Sequence, residues 1–146
     1  MIQTGHFPGR SLRILCVDDN PDQADSEALY LQVMGFEARA CYGGRDTLTL
    51  AAAYRPDVCL LDFHMPVMRG DELAGLLRVW AGARPLVLVA VTATDHVLPA
   101  NVFDRQLLKP FDPDRLRAVV TALAPGGRPP RATQNALDIF GMLRVS

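Results

Sequence analysis

Lysine is almost missing from this chain: of its 15 basic side chains 14 are arginine, and Lys109 stands alone. Acidic and basic side chains nearly balance, 16 against 15, for a formal net charge of −1. Such a balance lacks the basic footprint that binding to DNA or RNA leaves. No apolar run approaches membrane-spanning length, and the first ten residues, MIQTGHFPGR, lack the apolar core of a secretion signal. These absences point to a cytoplasmic protein with neither membrane nor nucleic acid as partner. Cysteine is scarce too: Cys16, Cys41 and Cys59 are odd in number, lack metal-type spacing and lie in apolar segments, which reads as buried free thiols. His6 and His96 have no partners in sequence and take no role. What remains is 146 residues, 49% hydrophobic and 21% charged, enough for one domain with a real core but not for a second functional one.

Five apolar runs recur: LRILCV (12–17), FEARAC (36–41), VCLLD (58–62), LVLVAV (86–91) and QLLK (106–109). Helical patterns lie between them. Asn20 is placed to cap a helix with Pro21 at its first position, Ala24, Ala28, Leu31 and Met34 on one face, and Gly35 as its stop. Leu48, Ala51 and Ala52 mark a second helix. Leu73, Leu76, Leu77 and Trp80 mark a third, with Asp71 and Glu72 favouring its N-terminal end. Asp112 and Pro113 open the last, with Leu116, Val119, Val120 and Leu123 as its face. Strands alternating with helices predict a doubly wound α/β fold, a parallel sheet covered on both sides, with ligands bound beyond the carboxyl ends of the strands.

Those ends carry the chemistry. The first strand runs into Asp18 and Asp19, the third ends at Asp62, the fourth at Thr92 and the fifth at Lys109. Adjacent carboxylates after an apolar strand repel and lose hydration, so a cation, a basic side chain or exposure to water must offset that cost. Two or three carboxylates suit a hard divalent cation, most plausibly Mg²⁺, which keeps several waters and accepts a phosphate as a further ligand. Neutralising the cluster would let one carboxylate act as a nucleophile toward phosphorus, with the ammonium and the hydroxyl holding phosphoryl oxygens. Taken singly, Asp-Asp also fits a solvated turn, Thr92 a β-branched strand end, and Met65-Pro66 with Gly70 a shaped loop.

VDDN (17–20), LLDFHMPVMRG (60–70), VTA (91–93) and LLKPF (107–111) resemble, in order, the signature blocks of response-regulator receiver domains, the chemotaxis-regulator-like modules of two-component signalling. The resemblance covers about residues 11 to 124. It implies a flavodoxin-like five-stranded sheet of order 2-1-3-4-5. It also implies Asp62 as phosphoacceptor, with Thr92 and Lys109 contacting the phosphoryl group. Mg²⁺ would be held by Asp18, Asp19, Asp62 and the His64 backbone carbonyl. The His64 side chain is expected to face solvent, and Lys109-Pro110 to be cis. The implied partner is a histidine kinase or a histidine phosphotransfer protein, and the implied role is a switch with slow self-dephosphorylation rather than an enzyme.

Three features depart from the family pattern. Only 17 positions separate Thr92 from Lys109, and Pro99 interrupts them, so the fourth helix, between the fourth and fifth strands, is predicted to be shortened, displaced or absent. Gln106 stands where the family usually has an aromatic that swings inward when the threonine moves, and a carboxamide cannot fill an apolar slot unsatisfied. Both changes suggest an atypical output face. Last, a receiver over 11–124, after an N-terminal extension of ten residues, is followed over 125–146 by a linker, APGGRPPR, and an amphipathic tail. In the tail, Ala136, Ile139, Phe140 and Leu143 form a stripe that needs a cover: this domain, a second copy, or a partner. A homodimer through the 92–109 face or the 133–145 tail follows as an expectation. A phosphorylation-independent interaction scaffold is the alternative reading, and a small Mg²⁺-dependent phosphatase ranks last.

Overall fold

A computed structural model of the chain describes residues 11–93 and 102–123. Nine elements alternate along it: β1 (Arg13–Val17), α1 (Pro21–Val33), β2 (Glu37–Cys41), α2 (Gly44–Tyr54), β3 (Val58–Asp62), α3 (Gly70–Ala81), β4 (Val87–Thr92), β5 (Arg105–Leu108) and α4 (Pro113–Leu123). All strand pairs are parallel, in the order β2-β1-β3-β4-β5. This is the expected doubly wound sheet.

The central strands β1, β3 and β4 read as nearly continuous apolar runs because both faces are covered. Every residue of β3 and of β4 is buried, as a central parallel strand requires. Alternate side chains divide the core in two. Ile14, Cys16, Leu60, Val89 and Leu107 pack under α1 and α4 with Leu31, Leu116 and Val120. Leu15, Val17, Cys59, Leu61 and Leu88 pack under α2 and α3 with Ala51, Leu73 and Leu77. Each fully buried leucine contributes about 1.5–3 kcal/mol over an exposed one. The three cysteines are buried free thiols, as expected.

Local signals set the helix ends. The Asn20 side chain accepts the Asp22 N–H at 3.0 Å, Pro21 opens α1, and Gly35 at φ 95° takes the chain out of it. Two of the apolar residues that mark these helices in the sequence face water. Ala52 is exposed, because α2 turns Thr47, Ala51 and Tyr54 inward and residue 52 lies a third of a turn away. Leu76 is 46% exposed, because the buried stripe of α3 runs through Gly70, Leu73, Ala74, Leu77 and Ala81.

Of the connection between β4 and β5, Ala93 and residues 102–104 are non-helical, and the described residues hold four helices. Residues 94–101, on which the shortened fourth helix was expected, lie outside the described residues. So do His6, His96, the N-terminal extension, the linker and the tail stripe. The Arg78 guanidinium anchors the start of β5, donating to the Leu86 and Val102 carbonyls and pairing with Asp104. The Asp104 carboxylate also accepts the Leu88 N–H at 2.8 Å.

Candidate functional site

The strand order reverses direction between β1 and β3, which opens a crevice beyond their carboxyl ends. Asp18 follows β1 and Asp62 ends β3. Asp18, Asp19 and Asp62 each bring a carboxylate oxygen to within 4.8 Å of the others, with Asp18 and Asp62 buried and Asp19 exposed. Lys109 reaches the same place from beyond β5, its Nζ 3.2 Å from Asp18 Oδ2 and 3.6 Å from Asp62 Oδ1. The repulsion between the neighbouring Asp18 and Asp19 carboxylates is thus met in part by an ammonium, and Asp18 Oδ1 also accepts the Asn20 N–H at 2.9 Å.

The loop after β3 is held close to the acids. The His64 N–H donates to Asp62 Oδ1 at 3.2 Å, while the His64 side chain is exposed, as expected. Gly70 N–H donates to the Phe63 carbonyl at 3.0 Å. A Cβ at Gly70 would lie 2.8 Å from the Asp62 carbonyl oxygen and from Phe63 Cα, so only glycine permits this approach. The bond between Lys109 and Pro110 is cis.

Burial, and then the Asp18 charge, push the Asp62 carboxyl up to about 6, against the opposing pull of Lys109 and the His64 N–H. Burial alone would lower Lys109, but the facing Asp62 and Asp18 carboxylates outweigh it and raise the ammonium above its ordinary value. A cation fits this donor set: three convergent carboxylates of like charge, one already resisting ionisation, are stabilised by added positive charge.

Thr92 ends β4 fully buried, and its Oγ1 accepts a hydrogen bond from Gln106 Nε2 at 3.0 Å. The Gln106 amide is therefore satisfied by a hydroxyl rather than stranded in an apolar slot. The structure brings Asp18, Asp19, Asp62 and Lys109 together, and sets Thr92 beside Gln106 at the adjoining strand ends.

One residue of this region was not singled out from the sequence. Glu27 on α1 is 6% exposed, and its Oε1 has no hydrogen-bond partner among the described residues. Burial, then the Asp18 charge, push its carboxyl up to about 7, while Lys109 draws it down. The signal was legible, since Glu27 is three residues after Ala24 and four before Leu31, on the buried stripe of an amphipathic helix.

The family model of the response regulator receiver domain matches residues 14–121. The DNA-binding response regulator MtrA of Mycolicibacterium smegmatis is 36% identical over 112 residues, which is 75% of this chain and 49% of that protein. The transcriptional regulatory protein KdpE of Mycobacterium tuberculosis is 35% identical over 113 residues, 73% of this chain and 50% of that protein. The chain thus spans about half the length of the curated relatives it matches. For that reason the charge balance of this chain does not exclude nucleic acid as a partner of the whole protein. Among solved structures, the chemotaxis protein CheY4 of Vibrio cholerae superposes with a TM-score of 0.73 at 25% identity, covering 79% of this chain and 100% of that one. TrrA of Thermotoga maritima, solved in complex with Mg²⁺-BeF, gives 0.69 at 29% identity, covering 77% and 99%. With the match extending across β1 to α4, the chain belongs to the response regulator receiver domain family.

Proposed function

We propose that residues 11–124 form a phospho-accepting unit that takes a phosphoryl group onto Asp62 from the phosphohistidine of a histidine kinase or histidine phosphotransfer protein. A carboxylate oxygen of Asp62 attacks phosphorus, the O–P bond forms as the P–N bond breaks, and the electron pair leaves on the imidazole nitrogen. Asp18, Asp19, Asp62 and the His64 carbonyl would hold Mg²⁺. When bound, Mg²⁺ supplies charge neutralisation for the carboxylates and for the phosphoryl oxygens. Asp18 and Lys109 keep each other in place through their ion pair. The Lys109 ammonium, 3.6 Å from Asp62 Oδ1, is poised to pair with the incoming phosphoryl charge. Thr92 donates its hydroxyl to a phosphoryl oxygen. The consequence is a changed surface rather than a released product, so the unit acts as a signalling switch. The DNA binding named in MtrA belongs to a protein about twice the matched length. For this chain the output is taken as protein–protein contact, through a face that Gln106 sets apart.

The observation that carries this reading is the convergence of three carboxylates within 4.8 Å of one another, two of them facing the chain's lone lysine. Intact mass after incubation with acetyl phosphate tests it. One phosphoryl gain that requires Mg²⁺ and disappears in Asp62→Asn is expected. No gain from acetyl phosphate or from a panel of phosphohistidine donors would leave the phosphorylation-independent scaffold as the better account.

A further inference from the structure

Alternation along the strands decides which way the rim groups point. Ile14 and Cys16 of β1, Leu60 of β3 and Leu107 of β5 pack on the side of the sheet covered by α1 and α4. A side chain two residues further on returns to that side. In β3 this residue is Asp62. Beyond β1 and β5 it is Asp18 and Lys109, whose N–H groups continue the ladders by donating to the Cys41 carbonyl at 3.1 Å and to the Thr92 carbonyl at 2.6 Å. Two acids and the ammonium thus stand on the α1 side. From α1 itself a third acid faces them: Glu27 lies between Ala24 and Leu31 on the buried stripe, 6% exposed, its Oε1 without a hydrogen-bond partner among the described residues. The charges of Asp18, Lys109 and Asp62 all act on this carboxyl, which in turn acts on the Cys16 thiol. The ammonium already lies against the other two acids, at 3.2 Å from Asp18 and 3.6 Å from Asp62. A buried carboxylate without a counter-charge of its own burdens the fold, and positive charge entering nearby relieves it.

We propose that Glu27 is a buried charge that sets the ionic preference of the acceptor rim, strengthening its hold on a divalent cation and weakening its hold on a phosphoryl group. This rests on the phospho-accepting reading. Both effects follow from one negative charge acting through a medium of lower dielectric than water, which attracts an incoming dication and repels an incoming anion. The rim is thereby kept loaded with cation and biased toward its phosphoryl-free state. The stability that the fold gives up to bury Glu27 is the cost of that bias.

The test uses the full 146-residue chain, labelled with ¹⁵N, and follows the backbone amide of His64 beside Asp62. Titrations run at about pH 8, where Glu27 is mostly ionised. Glu27→Gln keeps the size and removes the charge, while Glu27→Asp keeps the charge. In Glu27→Gln, half-saturation by Mg²⁺ is expected to need about 3- to 10-fold more cation, whereas half-saturation by beryllofluoride, added at saturating Mg²⁺ as the phosphoryl mimic, is expected to need about 2- to 5-fold less. Glu27→Asp is expected to stay within about twofold of the wild type for both ligands. A packing role would move both midpoints the same way and would not separate the two variants. Midpoints in Glu27→Gln that do not move in opposite directions, or a Glu27→Asp that follows Glu27→Gln, refute the inference and leave the phospho-accepting reading standing. If the His64 amide of the wild type responds to neither ligand and acetyl phosphate adds no mass, both readings fall together.

Discussion

Replacing Glu27 by glutamine removes a charge that the fold holds at a disadvantage. The carboxyl is 6% exposed, one of its oxygens has no partner among the described residues, and Asp18 and Asp62 add negative charge nearby. Its value in the folded protein, about 7, lies above the ordinary 4.5, so the folded state binds the proton more tightly than the unfolded one. Glu27 therefore imposes no penalty well below the unfolded value. Stability is lost as pH rises from there through about 7, and the penalty is complete above that. The rise of about 2.5 pH units, at about 1.36 kcal/mol each, sets a ceiling of about 3 kcal/mol. Screening at the open acid cluster and the new amide's own donors reduce this. The advantage of Glu27→Gln over wild type should grow by about 1–2 kcal/mol between about pH 5 and about pH 8.5. Urea unfolding followed by circular dichroism at both pH values measures it. Asp62 titrates in both proteins, so the difference between them isolates Glu27 to first order. Glu27→Leu should show the same trend, because an apolar side chain of similar volume often improves on a buried charge. A difference that stays flat or shrinks with rising pH would refute the account of Glu27 as a buried carboxylate under like-charge stress.

Asp18→Asn should bring the Asp62 carboxyl down from about 6, because Asp18 is the foremost of the charges that raise it. A ¹³C carboxyl titration without divalent cations reads this, and an unchanged midpoint speaks against the pairing. In Gly70→Ala the new methyl meets backbone 2.8 Å away at Asp62 and Phe63. A loss of about 1–3 kcal/mol in urea unfolding is expected, together with a shift of the His64 amide resonance; neutrality would mean the loop yields freely. Arg78→Met leaves Asp104, whose side chain is 4% exposed, without its counter-charge. The expected destabilisation is about 3–5 kcal/mol, and a double-mutant cycle with Asp104→Asn should recover part of it. Strict additivity there would dissolve the proposed anchor of β5.

The acid cluster could be foreseen because parallel α/β topology sends every strand's carboxyl end to one rim. Asp18, Asp62, Thr92 and Lys109 each directly end or follow an apolar run, so their meeting required only that the runs be strands. Leu76 and Ala52 mark their helices in the sequence yet face water. Helical spacing limits which residues share a face, but the width of the buried stripe depends on what packs opposite. In the sequence the charge of Glu27 masks its phase on α1. Its position on the stripe was as clear as that of Leu31, and only the packed helix shows that the carboxylate goes in rather than round.

By itself the sequence determined the element order, the helix caps at Asn20 and Gly35, the buried thiols and the list of groups at the strand ends. These follow from local backbone preference and from the periodicity of apolar side chains, which act over a few residues. The tertiary structure alone decided that Lys109 lies between Asp18 and Asp62, 91 residues from the former, with Nζ at 3.2 Å. It also decided that the Gln106 amide rests on the Thr92 hydroxyl, and that the Glu27 carboxylate is buried within reach of the Asp18 and Asp62 charges. Distance, direction and dielectric between groups remote in sequence exist only once the sheet has closed, and on those quantities hydrogen bonding and charge depend.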